Sequence, residues 1–146
     1  MKIQEKDRYH GSALTQIVEH KSFKALNKAD EKYGHYQVNH DRRLLTKYSK
    51  ATPGPWSFTF QPDDIRTMND DMRRKDGRTF ACLVCGEETV CILDEGELDD
   101  LIDRDNVAVQ WIRIEVPPAG RMHVRGSKGA LERTVAHNSF PDKVFR

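Results

Sequence analysis

The sequence predicts an α+β domain: a mixed β-sheet flanked by two or three helices. Apolar residues recur at helical spacing in some stretches and alternate with period two in others, and Gly/Pro clusters separate the two kinds. The elements run in the order α-β-β-β-α-β-β-α-β-β. With 146 residues the chain is long enough to bury a core of its own without disulfide or metal support.

Residues 1–11 are polar and predict a flexible N-terminal arm, leaving 12–146 as a single domain. Gly11-Ser12 offers a break and an N-cap. Leu14, Ile17, Val18, Phe23 and Leu26 then follow at loose helical spacing, predicting a helix over 12–28. Past a polar stretch, Tyr36 and Val38 alternate with His35, Gln37 and Asn39 as a strand. Residues 39–42 form a turn, and 43–49 form a second strand with Leu44, Thr46 and Tyr48 on one face and Leu45 and Lys47 on the other. Pro53-Gly54-Pro55 must be a loop. Trp56, Phe58 and Phe60 alternate with Ser57 and Thr59, the clearest strand in the chain.

Pro62 followed by Asp63 and Asp64 marks a helix start that the helix dipole favours, and Ile65, Met68 and Met72 form its apolar stripe. The helix should end between Arg74 and Gly77. Residues 79–85 and 89–93 read as strands around a turn at Gly86. Asp94-Glu95-Gly96-Glu97 is a capping-box pattern for a short acidic helix reaching about Asp103. Residues 107–116 predict a strand with Val109 and Trp111 on one face and Ile112 and Ile114 on the other. Residues 122–125 predict another, 131–135 a further one, and Phe140 and Phe145 should dock on the core.

Composition bounds the function classes. The chain is 37% hydrophobic and 32% charged, a modest core under a highly charged surface. No apolar run approaches a bilayer span, and no apolar segment follows the initial charges as in a secretory signal, so no membrane partner is expected. Three cysteines do not make a closed disulfide set, which suits a reducing, cytoplasmic location. Net charge is +1, but residues 1–50 carry 11 basic against 6 acidic residues, 51–110 carry 6 against 14, and 111–146 carry 7 against 3. The chain is basic at both ends and acidic in the middle.

The order helix, three strands, helix, strand over residues 12–93 resembles that of the restriction-endonuclease-like fold. The resemblance implies metal-assisted phosphodiester hydrolysis, with an Asp near one strand and an acidic residue two before a Lys on the next. Asp41 at the turn and Lys47 on the following strand match, and Glu19 on the first helix would add a carboxylate, as in some members. Leu45 stands where the family has its second acid, so the set Asp41, Lys47 and Glu19 is incomplete. A divalent metal such as Mg²⁺ is implied only for an active nuclease.

The basic residues suggest nucleic acid as a partner independently of catalysis. Arg42, Arg43, Tyr48 and Lys50 accompany Lys47 on one hairpin, and Arg121, Arg125 and Lys128 lie in a later segment; such groups contact phosphates and stack bases. The leading expectation is therefore a small nucleic-acid-associated protein. The alternative is a non-enzymatic protein-interaction or regulatory module that uses the charge asymmetry for docking. Other chemistry has less support. Cys82-Leu83-Val84-Cys85-Gly86 is similar to one zinc-ribbon knuckle, with Cys91 nearby, but strand alternation puts Cys82 and Cys85 on opposite faces and favours core packing. The six histidines form neither HxH nor HExxH; His35, Asn39 and Asp41 read as a polar edge. P-loop and GxSxG motifs are absent.

Overall fold

The computed structural model describes residues 1–146. Its elements are α1 (Glu5–Val18), β1 (Leu26–Lys28), β2 (His35–Val38), β3 (Arg42–Ser49), β4 (Trp56–Phe60), α2 (Pro62–Met72), β5 (Arg78–Cys85), β6 (Thr89–Leu93), α3 (Glu95–Leu101), β7 (Gln110–Glu115) and β8 (His123–Gly126), followed by short 3₁₀ turns at His137–Ser139 and Asp142–Phe145. The α+β class and the predicted element order are present, with β1 as an additional short strand.

Two sheets divide the strands. A five-stranded sheet runs β1-β2-β3-β5-β6, and a three-stranded sheet runs β4-β7-β8. Only the β3–β5 pair is parallel; every other neighbour is antiparallel. The chain leaves the large sheet after β3, forms β4 in the small sheet, and returns through α2 to lay β5 beside β3.

Burial explains the two kinds of strand pattern. The large sheet is covered on both faces, so β5 is buried at every position after Arg78. On one face Leu44, Phe80, Cys82 and Val84 pack with Ala13 and Ile17 of α1 and with Phe140 and Val144 of the tail. On the other face Leu45, Ala81, Leu83, Cys85 and Cys91 pack with Ile65 and Met68 of α2, with Leu98 and Leu101 of α3, and with the inner face of the small sheet. Full burial of each such Leu, Ile or Phe contributes about 1.5–3 kcal/mol. The small sheet is covered on one face only. Trp56, Phe58 and Phe60 point inward while Ser57 and Thr59 stay exposed, as predicted.

The first helix departs from expectation at both ends. Residues 5–11, expected within the arm, form its first two turns, entered where Asp7 Oδ2 accepts the Gln4 N–H at 3.2 Å. Ser12 is mid-helix and caps nothing: its hydroxyl donates to the Tyr9 carbonyl at 2.8 Å, and Thr15 donates to Gly11 at 2.7 Å. The helix stops at Val18, and Leu26 to Lys28 become a strand because β2 offers them a pairing edge. Asn39 holds the intervening loop from a left-handed backbone, φ 56°. Its Oδ1 accepts Lys24 N–H at 2.7 Å and Ala25 N–H at 3.3 Å, and its Nδ2 donates to Ser22 O at 3.1 Å. Residues 131–135 form no strand; Val135 makes a single bridge to Met122.

Candidate functional site: a charge network beneath α2 and an open sheet face

Asp64, Ile65, Met68 and Asp71 are the buried positions of α2, so its apolar stripe carries a carboxylate at each end. Buried carboxylates need partners, and the β2–β3 side of the large sheet supplies them. Asp64 Oδ2 lies 2.9 Å from Lys47 Nζ, and Asp64 Oδ1 lies 2.8 Å from Lys32 Nζ, which also reaches Asp63 Oδ2 at 2.5 Å. Burial would raise the Asp64 pKa, but the hydrogen bonds from Lys32 and Lys47 outweigh it and the net shift is downward. At the other end Asp71 Oδ2 meets His35 Nε2 at 2.6 Å, and Asp71 Oδ1 lies 3.2 Å from Arg43 Nη1. Asp30 Oδ1 stands 3.0 Å from His35 Nδ1. Burial would lower the His35 pKa, yet Asp71 and Asp30 together raise it. Nε2 is hydrogen-bonded to Asp71, while Nδ1 lies close to Asp30 without an aligned hydrogen bond, so the two carboxylates favour the protonated ring and His35 ties Asp71 and Asp30 together.

His10 of α1 is the opposite case. It is 4% exposed, its Nδ1 is buried without a hydrogen-bond partner, and its ring packs against those of Tyr33, Tyr36 and Tyr48. Burial, then the charges of Lys47 and Lys6, push its pKa down to about 4, so the ring is neutral at physiological pH.

The three residues expected to be catalytic occupy different places. Asp41 sits at the β2–β3 turn, paired with Arg42, which outweighs the effect of burial and holds the carboxyl below its ordinary range. Lys47 lies six residues further along β3, roughly 20 Å away at strand rise, and its amine is taken by Asp64. Glu19 is the exposed C-cap of α1. No group of three or more His, Cys, Asp and Glu side chains is arranged to hold a metal ion. Nor do His35, Asn39 and Asp41 form one polar edge, since each has a separate set of partners.

The seven basic and aromatic residues expected to bind nucleic acid separate into two groups. Of those on and beside β3, Arg42, Arg43 and Tyr48 serve the fold, while Lys50 is exposed. Arg42 Nε donates to the Val144 carbonyl at 2.6 Å, and Arg43 Nε donates to Gln37 Oε1 at 2.8 Å. Tyr48 stacks on Tyr9 at 4.8 Å and donates to Glu5, which also lies 3.6 Å from Lys50. The second group adjoins β8. Arg121 and Arg125 are exposed, and the exposed Lys128 donates to the Asp99 carbonyl at 2.7 Å.

Arg125 belongs to the open face of the small sheet. The register sets Thr59 beside Trp111, Ser57 beside Arg113, Arg113 beside Arg125, and Glu115 beside His123. Trp111 is 43% exposed, and Val107 and Val109 lead up to it. Glu115 Oε1 lies 3.1 Å from Arg113 Nε and 3.4 Å from Arg125 Nη2 and so orients both guanidiniums. Trp111 and Arg113 were absent from the sequence-derived set. Their signal was nonetheless present, because they alternate with the buried Ile112 and Ile114 and so share the solvent side of β7.

The cysteines are core residues. Cys82 packs toward α1, while Cys85 and Cys91 pack toward α2, so the knuckle is split by the sheet. Burial pushes the Cys82 and Cys85 thiols up to about 12 and raises Cys91 as well, keeping all three protonated. No family model, curated protein or solved structure matches the chain.

Proposed function

We propose that this is a small nucleic-acid-associated protein that binds through the open face of the small sheet. The observation that carries this reading is an exposed Trp111 on the same solvent face as Arg113 and Arg125. Aromatic rings among guanidiniums stack bases and neutralise phosphates. Arg121 and Lys128 extend the basic character around β8. Arg42, Arg43 and Tyr48 are left out of the interface because their polar groups are engaged within the fold, while Lys50 is exposed and makes only a 3.6 Å ion pair with Glu5.

Hydrolysis is not part of this role. Lys47 is held by Asp64 and Asp41 by Arg42, so the residues that would position a metal and a water do not converge. Incubation of plasmid, single-stranded DNA and RNA with Mg²⁺ or Mn²⁺ should therefore leave them intact. Cutting that EDTA and Asp41→Ala both abolish would overturn this point.

Binding is tested by fluorescence anisotropy with labelled oligonucleotides over a salt series. Arg113→Ala/Arg125→Ala should weaken binding and flatten its salt dependence. Unchanged binding in that variant would remove the face from consideration. The competing role, a non-enzymatic protein-interaction module, draws on Val107, Val109 and Trp111 as an apolar exposure. It predicts no salt-dependent oligonucleotide binding at all.

A further inference from the structure

The open face ends in a cleft, and the two together fit an unpaired strand better than a duplex. Taking the nucleic-acid reading as its basis, we infer that the ligand is single-stranded and runs along β7 from Trp111 to the cleft at Pro117-Pro118.

Trp111 and Arg113 alternate with buried residues, so they stand on the face about 6.8 Å apart, with Glu115 the same step further on. That spacing sets a stacking ring, then a guanidinium, at intervals suited to successive extended nucleotides. A ring lying on a sheet can stack only on a base whose face is free, which a paired base inside a helix does not offer. Beyond Glu115 the chain turns through Pro117-Pro118, and a cleft of about 810 Å³ opens between these prolines and Pro53 and Pro55, lined also by Arg113 and His123 and by the carboxylates Glu88 and Glu115. The volume lies within the range of small-ligand clefts, suiting a nucleotide and not a helix. Proline rings are rigid and apolar and hold a flat base without losing side-chain freedom.

Charge agrees with a short contact. The face carries Arg113 and Arg125 with Arg121 two residues before His123, against Glu115 on the face and Glu88 in the cleft. Three phosphate contacts on a single strand give a salt slope of about −2, shallow beside that of proteins gripping a duplex along its length.

The test compares labelled oligothymidylate, the matching duplex and the corresponding RNA strand, using the full chain with its fold checked by circular dichroism. Single strands should bind at least about tenfold tighter than the duplex. Trp111→Ala should weaken them about tenfold, and Trp111→Phe should restore most of the loss. His123→Ala at the cleft should weaken long strands and leave strands too short to reach it unaffected. Intrinsic fluorescence gives a second readout: Trp56 is 1% exposed and Trp111 is not, so stacking should quench the exposed component. Tight duplex binding that ignores Trp111→Ala would overturn the single-strand path while leaving nucleic-acid association standing. No binding to any of the three by a folded protein would overturn both.

Discussion

Acid should unfold this protein earlier than its carboxylates alone require, and His10 is the reason. The ring is buried against Tyr33 and Tyr36 before and on β2 and Tyr48 on β3, with Lys6 and Asp7 on its own helix and the charge of Lys47 on β3 acting on it. In the unfolded chain it titrates near 6.5, whereas in the fold its pKa is about 4. The unfolded state therefore takes up the proton first, and stability falls as pH drops through this interval. At about 1.4 kcal/mol per pKa unit, the full loss below the folded pKa is about 3 kcal/mol, of which about 2 kcal/mol is already expressed at pH 5. His10→Phe keeps an aromatic ring against the tyrosines, removes the titration and removes a buried nitrogen that has no partner. Urea unfolding of both proteins between about pH 7 and pH 5 isolates the effect, because every other group titrates in both. The wild type should lose about 2 kcal/mol more than the variant over that range. Parallel pH profiles would refute the reasoning and mean that water or local opening solvates the imidazolium.

The other buried groups give predictions of differing sign. His35, held charged between Asp71 and Asp30, contributes stability that is fully present below pH 6.5 and lost as pH rises through its elevated folded pKa; His35→Gln should abolish that alkaline decline in urea titrations. Asp64→Asn leaves the Lys32 and Lys47 amines without their shared carboxylate. Both lysines are about one-fifth exposed, so the expected cost is about 2 kcal/mol, below the 3–5 kcal/mol of a fully buried pair, and chemical denaturation at neutral pH measures it. An unchanged midpoint would mean that the network contributes no net stability. Asn39→Ala loses three hydrogen bonds to residues 22–25 and places a Cβ-bearing residue without local hydrogen bonding at φ 56°. A loss of about 2–3 kcal/mol should appear on thermal unfolding, with Asn39→Gly recovering the backbone share of roughly 1 kcal/mol.

Much of the secondary structure was legible because it depends on neighbours in sequence. Trp56 to Phe60 alternates because one face of the small sheet is wet, and Pro62 with two acids opens α2 where the helix dipole favours them. The Arg78–Cys85 strand is apolar along its length because both its faces are covered. The errors arose where local signals compete. Gly11-Ser12 carries a cap signature, yet the Asp7 carboxylate accepting the Gln4 N–H starts the helix earlier, and the predicted end at residue 28 gives way to strand pairing with β2.

By itself the sequence determined the α+β class, the order of elements, the basic residues near β3 and β8, and the side of β7 on which Trp111 stands. Only the tertiary structure decided that β4 leaves the first sheet for a second, and that Lys47 belongs to Asp64 and Arg43 to Asp71. It also separated the arginines that brace the tail from those left on an open face. The physical reason is range. Periodicity and capping record interactions within a few residues, whereas a charged side chain's partner is set by segments tens of residues away that packing brings alongside. Whether an arginine is a brace or a contact for a ligand is therefore settled only when those segments meet.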